Sequence, residues 1–181
     1  QELLSNRLER LMPYRTRIYI AADWDGDNNL VSTLQEWNES EYWDLSFPDA
    51  HELTQARDAS KACSIKKSLY TRLERSKTFV LIVGKQTASL RKGSCQYCPS
   101  YTGWCRRGNT ASTKSFIEYE CEYAVKHDLR IVVLYNMATP DKSLCPEIVR
   151  YQGKHLSAWD YNSNDSCYHW DYYAIKDAIE G

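Results

Sequence analysis

The chain has 181 residues, enough to bury the core of one domain, and its 43% hydrophobic and 26% charged residues are typical of globular proteins. Its formal net charge of −1 argues against a dedicated nucleic-acid surface, which usually carries clustered lysine and arginine. The longest apolar run, residues 79–84, is too short to cross a bilayer, and no signal-peptide pattern opens the chain. The seven cysteines are an odd number and do not resemble a disulfide framework, so we expect a cytoplasmic protein.

The spacing of apolar residues predicts helices that alternate with strands. In chain order these are a helix (1–12), a strand (17–22), a helix (28–38), a short strand (42–47), a helix (58–75), a strand (78–84), a helix (115–127), a strand (130–135), a short helix (146–151), a short strand (154–159) and a closing helix (168–179). This order predicts an α/β protein with a three-layer, flavodoxin-like parallel sheet of about five strands and helices on both faces.

We expect a single domain over residues 1–181, because no internal repeat or low-complexity linker divides the chain. An N-terminal helix extension (1–13) precedes the main fold, a cysteine-rich loop (88–111) is inserted into it, and a C-terminal strand and helix (151–181) close it. Ligands of open parallel sheets bind outside the carboxyl ends of the strands. The candidate sites are therefore the loops after residues 22 and 84 and the start of the helix at Ser115.

The first of these loops, ADWDGD, places aspartates at every second position: Asp23, Asp25 and Asp27. The D-x-D-G pattern is typical of haloacid-dehalogenase-type phosphatases, in which the first Asp attacks phosphorus, the second is the acid or base, and Mg²⁺ offsets the charge. Thr87 would supply the hydroxyl that such enzymes place after a second strand, but the late acidic pair is poorly matched by AWDYNSND. Two other interpretations stay open: contact with a sugar or nucleotide, and a polar loop in which one Asp caps the next helix.

Glu120 is the second candidate, because it falls inside the apolar sector of its predicted helix. At about 100° per residue, Ile117, Cys121 and Ala124 form the apolar face, and Glu120 lies within it. A carboxylate in such a position loses hydration and needs partners, and a group of this kind near a cleft is a candidate for catalysis. The alternative is an edge carboxylate that reaches solvent or pairs with a neighbouring base.

The cysteine-rich loop contains a C-x2-C pair, Cys95 and Cys98, and a third thiol at Cys105. Such a pair suits a structural zinc ion, although the sequence offers no clear fourth ligand. A redox pair and free thiols are the other interpretations. The four histidines share no ligand spacing, and we assign them no role.

Taken in order, three stretches resemble the bacterial TIR-like domains of Thoeris antiphage systems. The first strand of that family ends in a pattern like F-I-S-F-D-Y-D-x-D, and residues 19–27 are YIAADWDGD. A later strand follows S-D-x-x-I-x-L-I-G-x-x-T, and residues 76–87 are SKTFVLIVGKQT. The next helix begins like W-V-x-x-E-I, and residues 116–121 are FIEYEC, which places the family's glutamate on Glu120. The chain departs from the pattern at Ala21 and Ala22, where a serine and an aromatic residue are usual, and in the cysteine-rich loop.

The resemblance implies a TIR-like fold and an enzyme that breaks the nicotinamide–ribose bond of NAD, its substrate, with no cofactor required for catalysis. Glu120 would be the catalytic residue. The substrate-binding residues would be Ala21, Asp23, Trp24, Asp25, Thr87 and Phe116. The product would be an ADP-ribose derivative, either linear or cyclic, that signals to a separate effector protein. The resemblance also implies that the domain self-associates. Because many TIR domains are adaptors, a non-enzymatic interaction domain is the alternative within this family.

Overall fold

A parallel sheet forms the centre of the protein in a computed structural model that describes residues 17–48 and 62–181. Among these residues the sheet has four strands in the order β1 (Arg17–Ala21), β2 (Ser76–Val83), β3 (Arg130–Tyr135) and β4 (Lys154–Ser157), and all neighbours are parallel. The continuous apolar sequences of β2 and β3 are explained by their central positions, since both faces of these strands are covered. The predicted helix at 1–12 lies outside the described residues.

Helices cover both faces of the sheet, which confirms the predicted three-layer α/β class. The described helices are α1 (Asn28–Glu39), α2 (described over Ala62–Leu73), α3 (Phe116–Lys126) and α4 (Tyr172–Glu180). One apolar cluster joins α2 and α3 to the sheet face that carries Tyr19 and Phe79. A second cluster joins α1 and α4 to the face that carries Ile20 and Val80. Successive residues of a strand point to opposite faces, which is why neighbours in β1 and β2 belong to different clusters.

The predicted strand at 42–47 is not formed, so the parallel sheet of the described residues has one strand fewer than expected. Its alternating apolar pattern is real, because Leu45 and Phe47 are buried. However, Asp44 has a φ of 50°, in the left-handed region that interrupts an extended strand. The segment meets the sheet edge at its end, where the Ile18 N–H donates to the carbonyl of Pro48 at 3.1 Å.

The C-terminal part also differs from its prediction, because residues 167–170 form a strand instead of the start of a helix. They pair antiparallel with residues 159–162, giving a hairpin of β5 (Trp159–Asn162) and β6 (Cys167–Trp170). The rings of Trp159 and Trp170 stack with centroids 4.0 Å apart, so cross-strand contact decides the conformation. Helix α4 begins only after Asp171, whose side chain accepts a hydrogen bond from the Ala174 N–H. The predicted short helix at 146–151 is a 3₁₀ turn at Glu147–Val149.

Asp27 ties together the loops that follow three strands. Its side chain is 4% exposed and accepts a hydrogen bond from Asn136 Nδ2, just after β3, at 2.9 Å. Gly84, just after β2, lies so close to Asp27 that a Cβ there would overlap the carboxylate. Asp27 stands at the N-cap of α1 but makes no side-chain capping bond, so the interpretation of a capping aspartate is wrong for this residue. Its carboxylate instead fixes the acidic loop against the sheet.

We therefore expect Asn136→Ala to lower the free energy of unfolding by about 1–3 kcal/mol, because it leaves the buried Asp27 carboxylate without this donor. The matched control is Asn29→Ala, since Asn29 is the exposed second acceptor of Asn136 Nδ2, at 2.9 Å. That change should stay within about 0.5 kcal/mol. Urea unfolding of the three proteins measures both effects, and equal losses from the two variants would contradict the role given to Asp27.

Candidate functional site

A small cavity of about 170 Å³ opens at the carboxyl ends of the strands, beside the start of α3. It brings together residues that are far apart in the sequence, from the acidic loop, α2, the loop before α3, and α3 itself. The lining residues are Ala22, Asp23, Trp24, Asp25, Ile65, Leu69, Leu90, Lys92, Ser115, Phe116, Ile117 and Glu120. The position agrees with the rule that open parallel sheets bind ligands at this edge.

Glu120 is the most deeply buried ionisable group of this cavity, with a side chain that is 4% exposed. The hydroxyl of Tyr19, in the middle of β1, donates a hydrogen bond to Glu120 Oε1. Burial raises the pKa of Glu120 from its ordinary value of 4.5 to about 7, although the Tyr19 hydrogen bond and the positive charge of Arg72 lower it in part. At neutral pH the carboxyl group can therefore gain or lose a proton easily, as is common for functional groups.

Helix α3 presents Glu120 to the cavity because its start is fixed in several ways. Ser115 and Glu118 form a capping box: the Ser115 hydroxyl accepts from the Glu118 N–H at 3.2 Å, and the Glu118 carboxylate accepts from the Ser115 N–H at 2.7 Å. The buried ammonium of Lys66 donates to the carbonyl of Lys114 at 2.6 Å, and burial lowers the pKa of Lys66. The preceding loop is thus joined to α2, and the first turn of α3 has little freedom to move.

The loop before α3 also positions Phe116, one of the predicted substrate-binding residues. The Phe116 N–H donates to the carbonyl of Lys92 at 2.9 Å. Gly93 has a φ of 96°, and a Cβ at this position would overlap the Phe116 ring. Only glycine satisfies both conditions without strain. The aromatic wall of the cavity therefore depends on a close backbone approach that the sequence pattern alone did not indicate.

The three aspartates of the acidic loop have different positions. Asp23 and Asp25 line the cavity, and Asp23 Oδ1 accepts a hydrogen bond from the Asp25 N–H at 3.3 Å. Asp27 is buried away from the cavity lining, and burial raises the pKa of its carboxyl group. Trp24 lies between the two lining aspartates and is 38% exposed, so its ring is accessible to a ligand.

Two other predicted residues do not line this cavity. Ala21 is 1% exposed and packs in the core beside Tyr19. Thr87 is also buried, and its hydroxyl accepts a hydrogen bond from the Gly84 N–H at 2.8 Å. Thr87 instead borders a second cavity of about 470 Å³, which shares Leu90 with the first.

Sequence reasoning missed Tyr19 and Lys92. A phenol within an apolar strand needs a hydrogen-bond partner, so the IYIA sequence of β1 contained a signal for Tyr19. No sequence signal distinguished Lys92 from other loop lysines.

The cysteine loop is ordered by its own contacts. The Cys95 N–H donates to the Ser112 carbonyl at 2.8 Å, and the Ser112 N–H approaches Cys95 Sγ at 3.3 Å. Cys95, Cys98 and Cys105 are free thiols. Within residues 17–48 and 62–181, no three His, Cys, Asp or Glu side chains are grouped to hold a metal ion. These three cysteines are therefore not gathered into a zinc-ligand set.

Residues 19–92 match the family model described as Thoeris protein ThsB, TIR-like domain. This segment of the chain is similar to the TIR-like domains of Thoeris proteins. The match includes the acidic loop, Thr87 and Lys92 and ends before Glu120, which the fold brings to the same cavity. No curated protein gives a significant match to the chain. None of the helices in the described part of the protein has the length and apolar character that crossing a bilayer requires.

The late acidic pair of the phosphatase interpretation lies on the C-terminal hairpin. Asp160 is part of β5, and Asp165 pairs with His169 at 2.6 Å. Neither residue lines the cavity that contains Asp23 and Asp25. This arrangement argues against the phosphatase interpretation of the acidic loop.

The burial of Glu120 makes the stability of the domain dependent on pH. Its pKa of about 7 exceeds the ordinary value of 4.5, so between these pH values the unfolded chain loses a proton that the folded protein keeps. Stability therefore falls as the pH rises from about 4.5 to about 7. A pKa shift of one unit corresponds to about 1.4 kcal/mol. We therefore expect the free energy of unfolding of Glu120→Gln, measured relative to wild type, to be ~2–3 kcal/mol higher at pH 8 than at pH 5.

Chemical denaturation of both proteins at the two pH values measures this difference. The control is Glu122→Gln, because Glu122 is on the same helix with a side chain that is 42% exposed and paired with Lys114. It should change the pH dependence little. The same pH dependence in wild type and Glu120→Gln would mean that Glu120 ionises without a desolvation cost.

Proposed function

We propose that this TIR-like domain cleaves the nicotinamide–ribose bond of NAD, with Glu120 as its catalytic residue. The observation that carries the proposal is a buried carboxylate at the base of a small cavity whose mouth holds two further carboxylates, Asp23 and Asp25, and a partly exposed indole, Trp24. The carboxylates attract positive charge and the indole stacks on flat rings, and the nicotinamide ring of NAD is both positively charged and planar. The family match to a Thoeris TIR-like domain supports a role in antiphage defence.

The chemistry needs little more than one well-placed anion. As the bond between the nicotinamide nitrogen and ribose C1 breaks, both bonding electrons leave with the nitrogen and positive charge develops on the sugar. Glu120 stabilises this oxocarbenium-like state, either electrostatically or through a bond to C1 as in retaining glycosidases. Nicotinamide departs as a neutral molecule, so the leaving group needs no general acid.

The size of the cavity limits what it can hold. Pockets for complete ligands are usually about 300–1,000 Å³, whereas this one has about 170 Å³. We therefore place only the reacting end of NAD in it, with the nicotinamide ring near Trp24 and Phe116. The carboxylates of Asp23 and Asp25 then accept hydrogen bonds from ribose hydroxyls. The rest of the dinucleotide extends out of the cavity.

The product depends on the nucleophile that reaches C1. Water gives ADP-ribose, whereas a hydroxyl or adenine nitrogen of the same molecule gives a cyclic ADP-ribose. In the proposed pathway this product is a signal to a separate effector protein. The reaction takes place in the cytoplasm, and self-association of the domain promotes the reaction. No further cofactor takes part in catalysis.

The test is NAD turnover by the concentrated protein, with products resolved by mass. We expect wild type to release nicotinamide in the presence of EDTA, and Glu120→Gln to lose at least about 100-fold, as when an electrostatic group of the transition state is removed. Glu122→Gln is the matched control, because it changes a half-buried carboxylate of the same helix that does not line the cavity, and it should retain activity. The mass of the product identifies the nucleophile.

Other outcomes separate the alternatives. Equal turnover by wild type and Glu120→Gln would exclude Glu120 as the catalytic residue. Metal-dependent release of phosphate from a phosphoester that is lost in Asp23→Asn and kept in Glu120→Gln would move the chemistry to the acidic loop. No nicotinamide release at any protein concentration would favour the non-enzymatic interaction domain.

A further inference from the structure

The phenol of Tyr19 is enclosed at the centre of the fold and aimed at the candidate catalytic group. Tyr19 is 0% exposed, and its hydroxyl donates to Glu120 Oε1. The two residues are 101 positions apart in the sequence and meet because β1 and α3 pack in one apolar cluster. A buried tyrosine hydroxyl needs a partner, and here the partner is a carboxylate that faces a cavity.

We propose that Tyr19 is the positioning residue of the site: its hydroxyl favours the ionised form of the Glu120 carboxylate and fixes the orientation of that carboxylate toward the cavity. The effect of Tyr19 on the pKa of Glu120 follows from the hydrogen bond between them. Its effect on the rate of NAD cleavage rests on the proposed function. The two parts are therefore tested by different measurements.

The direction of the effect follows from which protonation state the hydrogen bond favours. A donor to a carboxylate stabilises the charged form and lowers the pKa of the acid. In this pair the Tyr19 hydroxyl is the donor and Glu120 Oε1 is the acceptor. Burial acts in the opposite direction, and the pKa of Glu120 settles at about 7. Loss of the Tyr19 hydroxyl would therefore raise the pKa of Glu120, because desolvation would then be offset by less stabilisation of the charged form.

The other charged or titratable groups around Glu120 come from every neighbouring element. Arg72 on α2 lowers the pKa of Glu120 through its positive charge. Cys121, the next residue of α3, has a pKa raised by burial and by the Glu120 charge, so it stays a neutral thiol. Asp23 and Asp25 from the acidic loop and Lys92 from the loop before α3 line the same cavity. Tyr19 differs from these because its hydroxyl bonds the carboxylate directly.

The first measurement is the pKa of Glu120, from an NMR titration of the protein labelled with ¹³C at glutamate carboxyl groups. The Glu120 signal is the one that Glu120→Gln removes. Tyr19→Phe deletes the hydroxyl and keeps the ring that stacks on Phe79, with centroids 6.0 Å apart. We expect this variant to raise the pKa of Glu120 by about one pH unit, the size that a single hydrogen bond to a charged group supports.

Tyr135→Phe is the matched control. Tyr135 is also 0% exposed in a central strand, but its hydroxyl lies 3.0 Å from His155 Nδ1 rather than next to Glu120. This variant should leave the pKa of Glu120 unchanged. An unchanged Glu120 pKa in Tyr19→Phe, or the same rise in both variants, would overturn the proposal.

A second substitution keeps the test decisive if Tyr19→Phe does not fold. Replacement of Tyr19 by 3-fluorotyrosine keeps the shape of the side chain and makes its hydroxyl a stronger donor. We then expect the pKa of Glu120 to fall. A rise or no change would count against the proposal.

The catalytic part is tested by the pH profile of nicotinamide release. Because Glu120 acts as an anion, Tyr19→Phe should move the acid limb of kcat/KM upward by the same amount as the pKa. Turnover would fall about tenfold at pH 6 and stay within about twofold at pH 9. A loss of equal size at all pH values would mean that the hydroxyl only supports the fold. If wild type releases no nicotinamide, the proposed function fails while the titration still decides the role of Tyr19.

Discussion

The burial of one carboxylate, Glu120, is the constraint on which the site depends. An ionised carboxyl group is costly to place in an apolar core, and it is retained only where donors and charges offset part of that cost. Here the donor is Tyr19 from the sheet and the charge is Arg72 from α2. Both partners must be held in place by the rest of the fold. The capping box of α3 and the anchoring of the preceding loop by Lys66 restrict the position of Glu120 itself.

The acidic loop combines two different uses of negative charge. Asp23 and Asp25 face the cavity and place two carboxylates in its lining. Asp27 faces inward and holds the loop through Asn136 and the close approach of Gly84. Asp27 differs in direction from the other two because the loop turns before α1, where the Asp27 N–H donates to the Asp23 carbonyl at 2.7 Å. One carboxylate fixes the loop so that the other two are presented at the mouth of the cavity.

The sequence predicts those features that depend on local patterns. Continuous apolar runs identified β2 and β3, and helical spacing placed α3 and set Glu120 within its apolar face. Patterns failed where contacts between distant segments decide the structure. The aromatic residues at 168–170 looked helical, but the stacking of Trp170 on Trp159 makes them a strand. Likewise, the alternating apolar residues at 42–47 are buried at Leu45 and Phe47 but do not pair as a strand, because the positive φ of Asp44 turns the chain.

The same distinction applies to the site. Glu120 could be selected from its helix alone, because a charge among apolar neighbours is visible in the sequence. Its partner could not, since the contact with Tyr19 spans 101 positions and exists only when β1 packs on α3. The family match contains Tyr19 and the acidic loop but ends at residue 92, before Glu120. The matched segment therefore supplies the donor and the mouth of the cavity, and the following helix supplies the anion. A change in how α3 docks on β1 would separate these parts, so we expect the pKa of Glu120 to respond to that docking as well as to its immediate neighbours.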